Sequence, residues 1–315
     1  MRPSATHRLV AADLRRQRAL AEVLAGLAEA GVDALVIKGA ALAFLVYEEP
    51  HTRPRCDADL LIRSEHVEAA ERVLLASGYN RQIEPDATVI SGQRHYAPPR
   101  PSADAIDLHW RVVNPLVFGD VLPFSEAWAR SIPVPALGTA ARTLAPHDAL
   151  LLACIHRVAH HGDSAELKWL QDIDRLVALL ARMGPESGRA FAREAARTRT
   201  RSVCVRSLEL AQSLCGTRVD DLIAELQTGT HDVEPSAAFV GGRLALAGIV
   251  GSDLRHADWR GRARILREHL FPSREYMRAR YPRWPSALMP AAYAFRIMRG
   301  APAWFRRGGQ PAPGS

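Results

Sequence analysis

The stretch from Leu35 to Ile62, LVIKGAALAFLVYEEPHTRPRCDADLLI, restricts this chain more than any other part of it. An apolar run ends in Lys38-Gly39, a short helical segment follows, and a Pro/Arg turn leads into a segment that opens with two aspartates one residue apart. Side chains on a strand alternate between faces, so Asp57 and Asp59 share one face while Ala58, Leu60 and Ile62 take the other and enter a core. Two adjacent carboxylates repel, and burial makes the repulsion worse. A divalent cation removes it; Mg²⁺ (or Mn²⁺) takes one or two carboxylates together with substrate phosphates. Gly39 follows a predicted strand, Ala34 to Ile37, and opens a helix whose free N–H groups and partial positive charge suit a phosphate. Glycine permits close approach there, and Lys38 adds a point charge. Strand, glycine turn, helix and Asp-x-Asp strand is an order that holds a metal-bound triphosphate, where positioning and electrostatics carry the chemistry.

A third carboxylate stands in AIDLHWRVV. Ile106, Leu108 and Trp110 alternate with Asp107, His109 and Arg111, the pattern of a half-buried strand with one polar face. Paired beside Asp57–Ile62, that strand brings Asp107 next to the aspartate pair, where it serves either a second metal or as general base for an acceptor hydroxyl.

KGAAL, RPRCDADLLI, IDLHWR, PHDALLLACIH and LKWLQDID together resemble the bacterial uncharacterised nucleotidyltransferase family of the polymerase-β-like superfamily, over roughly residues 15–300. The resemblance implies an α+β fold, a small mixed β-sheet core with flanking helices followed by a mostly helical C-terminal domain. It implies Asp57 and Asp59 as metal ligands, Asp107 as the third carboxylate and Gly39 as the phosphate-loop glycine, with an NTP as donor. Classical members carry Gly-Ser or Gly-Gly at the strand end, where this chain has Lys38-Gly39-Ala40.

With 315 residues, 48% of them apolar and 24% charged, the chain is long enough for two modest domains. It holds no apolar run of about 18 residues, so no integral membrane span is expected. Its first residues lack the apolar region of a signal peptide. Cys56, Cys154, Cys204 and Cys215 are far apart, which fits reduced thiols in a cytoplasm and argues against a zinc site. Of 41 basic residues only Lys38 and Lys168 are lysines. The net charge of +7 is concentrated: residues 251–315 hold 13 Arg against Asp253, Asp258, Glu268 and Glu275, with aromatics such as Trp259, Trp284 and Trp304 between them. Such a segment either contacts nucleic acid or an anionic surface, or is a helical packing unit with solvated arginines.

The chain divides into a core over 1–116, a connector over 117–145 with Pro123, Pro133 and Pro135, and a helical part over 146–315. Asp13 is expected to cap a first helix whose apolar face is Leu20, Leu24 and Leu27, and Ser64 to cap the helix after the Asp-x-Asp strand. Thr88–Tyr96 reads as a strand. In the helix 146–162, His156 and His160 lie on one face; His156 is expected to face the site, with His160 and His161 protonated at the helix end. On the next helix Lys168 and Asp172 are four apart; they either pair with each other on the surface or place Lys168 on the triphosphate with Asp172 orienting it. Trp169 is expected in the core.

Three functions fit. The first is Mg²⁺-dependent transfer of a nucleotidyl group from an NTP to an acceptor hydroxyl or phosphate on a small molecule, peptide, protein or tRNA. The second is the same site with a nucleotide-sugar donor. The third is a catalytically inactive module that holds RNA or a partner.

Overall fold

The computed structural model describes residues 4–85, 87–228, 233–242 and 244–304, the side chains of Ala5 and of 301–304 excepted. Trp304's side chain and the end of the basic segment, 305–315, lie outside the described residues. The order of elements begins α1 (Ala5–Glu29), β1 (Ala34–Ile37), α2 (Lys38–Leu45), β2 (Asp57–Ile62), α3 (Val67–Ala76), β3 (Asn80–Arg81), β4 (Gln93–Ala97) and β5 (Ala105–His109). Next come α4 (Phe124–Arg130), β6 (Ile132–Pro133) and β7 (Arg142–Thr143), and then α5 (Pro146–Ala159), α6 (Leu167–Met183), α7 (Pro185–Arg197) and α8 (Arg201–Cys215). The remaining helices are α9 (Asp220–Leu226), α10 (Leu246–His256), α11 (Trp259–Leu270), α12 (Arg274–Arg280) and α13 (Met289–Trp304).

The seven strands form one mixed sheet in the order β3-β4-β5-β2-β1-β7-β6. β2 runs parallel to β5 and antiparallel to β1, and β7 runs parallel to β1. This is an α+β fold with a helical C-terminal region. Alternation along the central strands sends apolar side chains to both faces. Ala34, Val36, Ala58, Leu60, Ile62, Ile106 and Leu108 pack against α1 and α3. Leu35, Ile37 and Leu61 pack against α5 and the helices behind it, so the sheet and the first helical layer share one core. A fully buried leucine such as Leu27 stabilises by roughly 1.5–3 kcal/mol. The stretch 117–145, read as a connector, supplies β6 and β7 to the sheet. Strands of two residues are too short to leave a period in the sequence.

Two helix starts differ from expectation. α1 begins earlier, capped by Ser4, whose side chain accepts from the His7 amide. Asp13 lies within the helix, buried, and accepts from Arg55 Nη2 at 2.6 Å. A buried arginine needs a carboxylate more than an already capped helix needs a second cap. Ser64 opens a 3-10 turn before α3, and its hydroxyl bonds Glu65 rather than a backbone amide.

The strand expected over Thr88–Tyr96 is shorter, because its first residues turn outward. The amides of Thr88, Val89 and Ile90 donate to the buried carboxylate of Glu268 on α11. Asp253 on α10 accepts from the Leu116 amide at 2.8 Å. The two acidic side chains thus tie the C-terminal helices to the loop before β4 and to the loop after β5. Within that segment Met277, Met289 and Ala292 form a small core with Tyr276, Tyr281, Trp284 and Tyr293. Trp259 is 71% exposed, with the Arg260 guanidinium 5.0 Å from its ring centre.

Candidate functional site

The site follows from the register of three strands. Asp59 on β2 lies opposite Asp107 on the parallel β5 and opposite Ile37, the last residue of β1. Asp57 and His109 sit two residues from these aspartates on their own strands, so all four side chains leave the sheet on one face. That face is the one covered by α5 and α6. A cavity of about 540 Å³ lies between the sheet end and those helices. Lys38, Gly39, Asp57, Asp59, Asp107, Lys168 and Asp172 all line it, so the structure gathers every site residue expected from the sequence into one pocket.

Asp59 is the most tightly held of them. Its Oδ1 accepts from Lys38 Nζ at 2.5 Å and lies 2.8 Å from His109 Nε2. Burial alone would raise its carboxyl; the Lys38 ammonium and the His109 hydrogen bond outweigh burial and hold it far below the usual carboxylate range. Asp57 is shifted the other way, by burial and then by the charge of Asp59. Burial, with the nearby charges of Asp59 and Asp57, pushes Asp107 up to about 7 against the opposing pull of His95. His95 Nε2 stands 3.5 Å from Asp107 Oδ2, and its Nδ1 is hydrogen-bonded to Glu84.

Asp59, Asp107 and His109 bring one ligand atom each to within 4.8 Å of one another. Two carboxylate oxygens and an imidazole nitrogen suit a divalent cation, and the oxygens suit Mg²⁺ or Mn²⁺ in particular. Asp57 is outside this group of three but lines the same cavity. His109 is the residue that sequence reasoning passed over. Its signal was its position two residues after Asp107, on the same strand face. Burial and the Lys38 charge push it down to about 4, so its ring is neutral. Nε2 offers a lone pair to a cation in the tautomer that carries its proton on Nδ1, toward the Arg111 carbonyl, and donates to Asp59 in the other.

α2 starts at Lys38 with no side-chain cap, and its first turn lines the cavity. Lys38 itself has φ 52°, the left-handed region that a side chain rarely adopts. Gly39 is explained by Arg53. A Cβ at position 39 would lie 3.3 Å from both terminal nitrogens of the Arg53 guanidinium. That guanidinium is fixed by Asp172, whose two oxygens accept from Arg53 Nε at 2.8 Å and Nη2 at 2.7 Å, while Tyr47 Oη donates to Asp172 Oδ1 at 2.8 Å. Gly39→Ala is therefore expected to destabilise the protein by about 1 kcal/mol, overpacking outweighing the gain in helix propensity. Denaturant midpoints check this, and the loss should vanish in an Asp172→Ala background, where Arg53 is free to move.

Asp172 thus partners Arg53 and Tyr47, not Lys168. Lys168 lies at the rim, 45% exposed, 3.1 Å from Glu166 and over the Trp169 ring. Trp169 is half-buried at the cavity wall, stacked on His161 at 3.7 Å, and not in the core. His156 faces the site as expected. His160 and His161 line it as well, and burial pushes them down to about 3 and about 4, so the protonated helix end is replaced by a neutral imidazole wall. Burial is the deciding effect, because a helix end favours a charged histidine only by about 0.3–2 kcal/mol.

Among the described residues no helix is long and apolar enough to cross a membrane, and all four cysteines are free thiols. No curated protein and no solved structure matches this chain. The family model for uncharacterised nucleotidyltransferases matches it over residues 4–216, which takes in the whole sheet and the helices α5 and α6 that close the cavity. The chain therefore belongs to the uncharacterised nucleotidyltransferase family, and with it to the enzymes that transfer nucleotidyl groups.

Proposed function

We propose that the cavity binds a nucleoside triphosphate with a divalent cation, Mg²⁺ or Mn²⁺, and transfers its nucleotidyl group to an acceptor hydroxyl or phosphate. The observation that carries this reading is the convergence of Asp59, Asp107 and His109 within 4.8 Å, beside the open first turn of α2. Asp57, Asp59 and Asp107 would supply oxygen ligands, with His109 as a nitrogen ligand beside them. A bound cation would offset charge on the triphosphate and on the departing pyrophosphate. The free N–H groups at the start of α2 favour phosphate oxygens, and Gly39 lets the Arg53 guanidinium pack close against that turn. Lys168, held by a half-exposed ion pair with Glu166 and by the face of the Trp169 ring, can turn toward the phosphates at modest cost. Asp172 acts behind them, fixing Arg53 against α2. Asp107 would serve either as an oxygen ligand or, where the cation is held by the other two carboxylates, as the base for the acceptor's proton. The free thiols support a reducing, cytoplasmic setting.

The test is product formation. The four NTPs labelled in the α-phosphate, and nucleotide sugars labelled in the sugar, are incubated with Mg²⁺ and separate acceptor pools of small molecules, peptides, proteins and tRNA. The reading expects α-phosphate label in one pool, with pyrophosphate released in equal amount. Transfer of sugar label alone would replace the donor. RNA retention without transfer of either label would replace the enzyme with a binding protein.

A further inference from the structure

We infer that Lys38 is a built-in counter-ion of Asp59, and that it couples cation loading to nucleotide loading. This rests on the metal-nucleotide reading above and adds the order in which the site fills. The Lys38 ammonium is 2.5 Å from Asp59 Oδ1 and 3.2 Å from His109 Nε2, so it sits against two of the three residues that converge as ligands. The pair is nearly enclosed, with the lysine side chain 11% exposed and the aspartate 8%. The Lys38 backbone is held at φ 52°, a conformation unfavourable for a residue other than glycine. Glycine would remove that strain, so what position 38 keeps by retaining lysine is the side chain. The chain uses arginine at 39 of its 41 basic positions, and this is one of the two exceptions. A compact ammonium can sit against one carboxylate oxygen and then leave it; a planar guanidinium binds in a fixed fork.

A divalent ion arriving alone would have to displace this ammonium from Asp59 and leave its charge, largely buried, without that partner, which is unfavourable. A triphosphate arriving with the ion supplies the ammonium with new oxygen partners at the adjacent start of α2. Cation and nucleotide therefore each raise the other's affinity, and by linkage the two factors are equal.

The experiment measures Mn²⁺ binding by titration of free Mn²⁺ signal, with and without the four α,β-methylene nucleoside triphosphates. In the wild type, one of these analogues should tighten Mn²⁺ binding by about tenfold or more, within the usual range for coupled sites. Lys38→Met and Lys38→Gln should bind Mn²⁺ without nucleotide about tenfold more tightly than wild type, and the coupling factor should fall toward one. Two neutral variants are used because one of them can fail to fold, and the wild-type coupling needs no variant. Wild-type Mn²⁺ affinity that is indifferent to all four analogues overturns the inference. So does nucleotide-free Mn²⁺ affinity in the folded Lys38 variants that is equal to or weaker than wild type. Asp59→Asn separates the two levels: loss of Mn²⁺ binding there, with no gain in the Lys38 variants, leaves the metal site standing and removes only the role of Lys38. Unchanged Mn²⁺ binding in Asp59→Asn removes both.

Discussion

Asp59→Asn should lower label transfer from the preferred NTP by about a thousandfold or more, equivalent to roughly 4 kcal/mol of transition-state stabilisation. The substitution keeps size and shape, so the loss isolates the charge. Asp59 is the hub of the site, bonded to Lys38 and His109 and directly opposite Asp107 in the sheet. An amide there would bind a cation weakly and would leave the Lys38 ammonium without its anion. Asp57→Asn should act in the same direction through the neighbouring carboxylate position. The expected profile is a fall in kcat with the fold retained, checked by far-UV circular dichroism and by the denaturant midpoint. Undiminished transfer in folded Asp59→Asn would remove this carboxylate from the chemistry.

The second large effect is on stability. Asp172→Ala should destabilise the protein by about 3–5 kcal/mol, because it leaves a buried guanidinium without its carboxylate. Arg53 and Asp172 are 7% and 3% exposed, and Tyr47 loses its hydrogen-bond acceptor in the same step. In thermal unfolding this amounts to about 10 °C, at 2–4 °C per kcal/mol. The double variant Arg53→Leu/Asp172→Leu should recover more than half of the loss, since neither charge then remains buried. The two positions form one network, so their single effects should not add. A shift of less than about 1 kcal/mol for Asp172→Ala would mean that this pair is not what ties α6 to the start of α2.

Much of this site was legible because strand chemistry is periodic. Asp57 and Asp59 against Ala58, Leu60 and Ile62, and Asp107 against Ile106 and Leu108, each announce a face, and the structure adds only that the two strands are parallel neighbours. Lys38 and Gly39 were legible as a strand end opening a helix. What was not legible depends on contacts between residues far apart in the chain. Asp172 is four residues from Lys168, yet its partner is Arg53, 119 positions away. Local spacing suggests a surface pair there, and a buried arginine claims the carboxylate instead. Asp13 went the same way, to Arg55 rather than to a helix cap. His160 and His161 were expected to be charged because a helix end favours charge, but their burial follows from how α5 lies over the sheet. β6 and β7 are too short for any periodic signal and form only because β1 has a free edge.

The most direct test of the central claim is a thermal-shift panel on wild type and Asp57→Asn, with each NTP and several nucleotide sugars, with and without Mg²⁺. A ligand at about 100 times its Kd stabilises by roughly 2.7 kcal/mol, or several degrees for a chain of this size. The account predicts a Mg²⁺-dependent rise with an NTP in the wild type that is absent in Asp57→Asn. A rise of equal size in both proteins, or one indifferent to Mg²⁺, would contradict it.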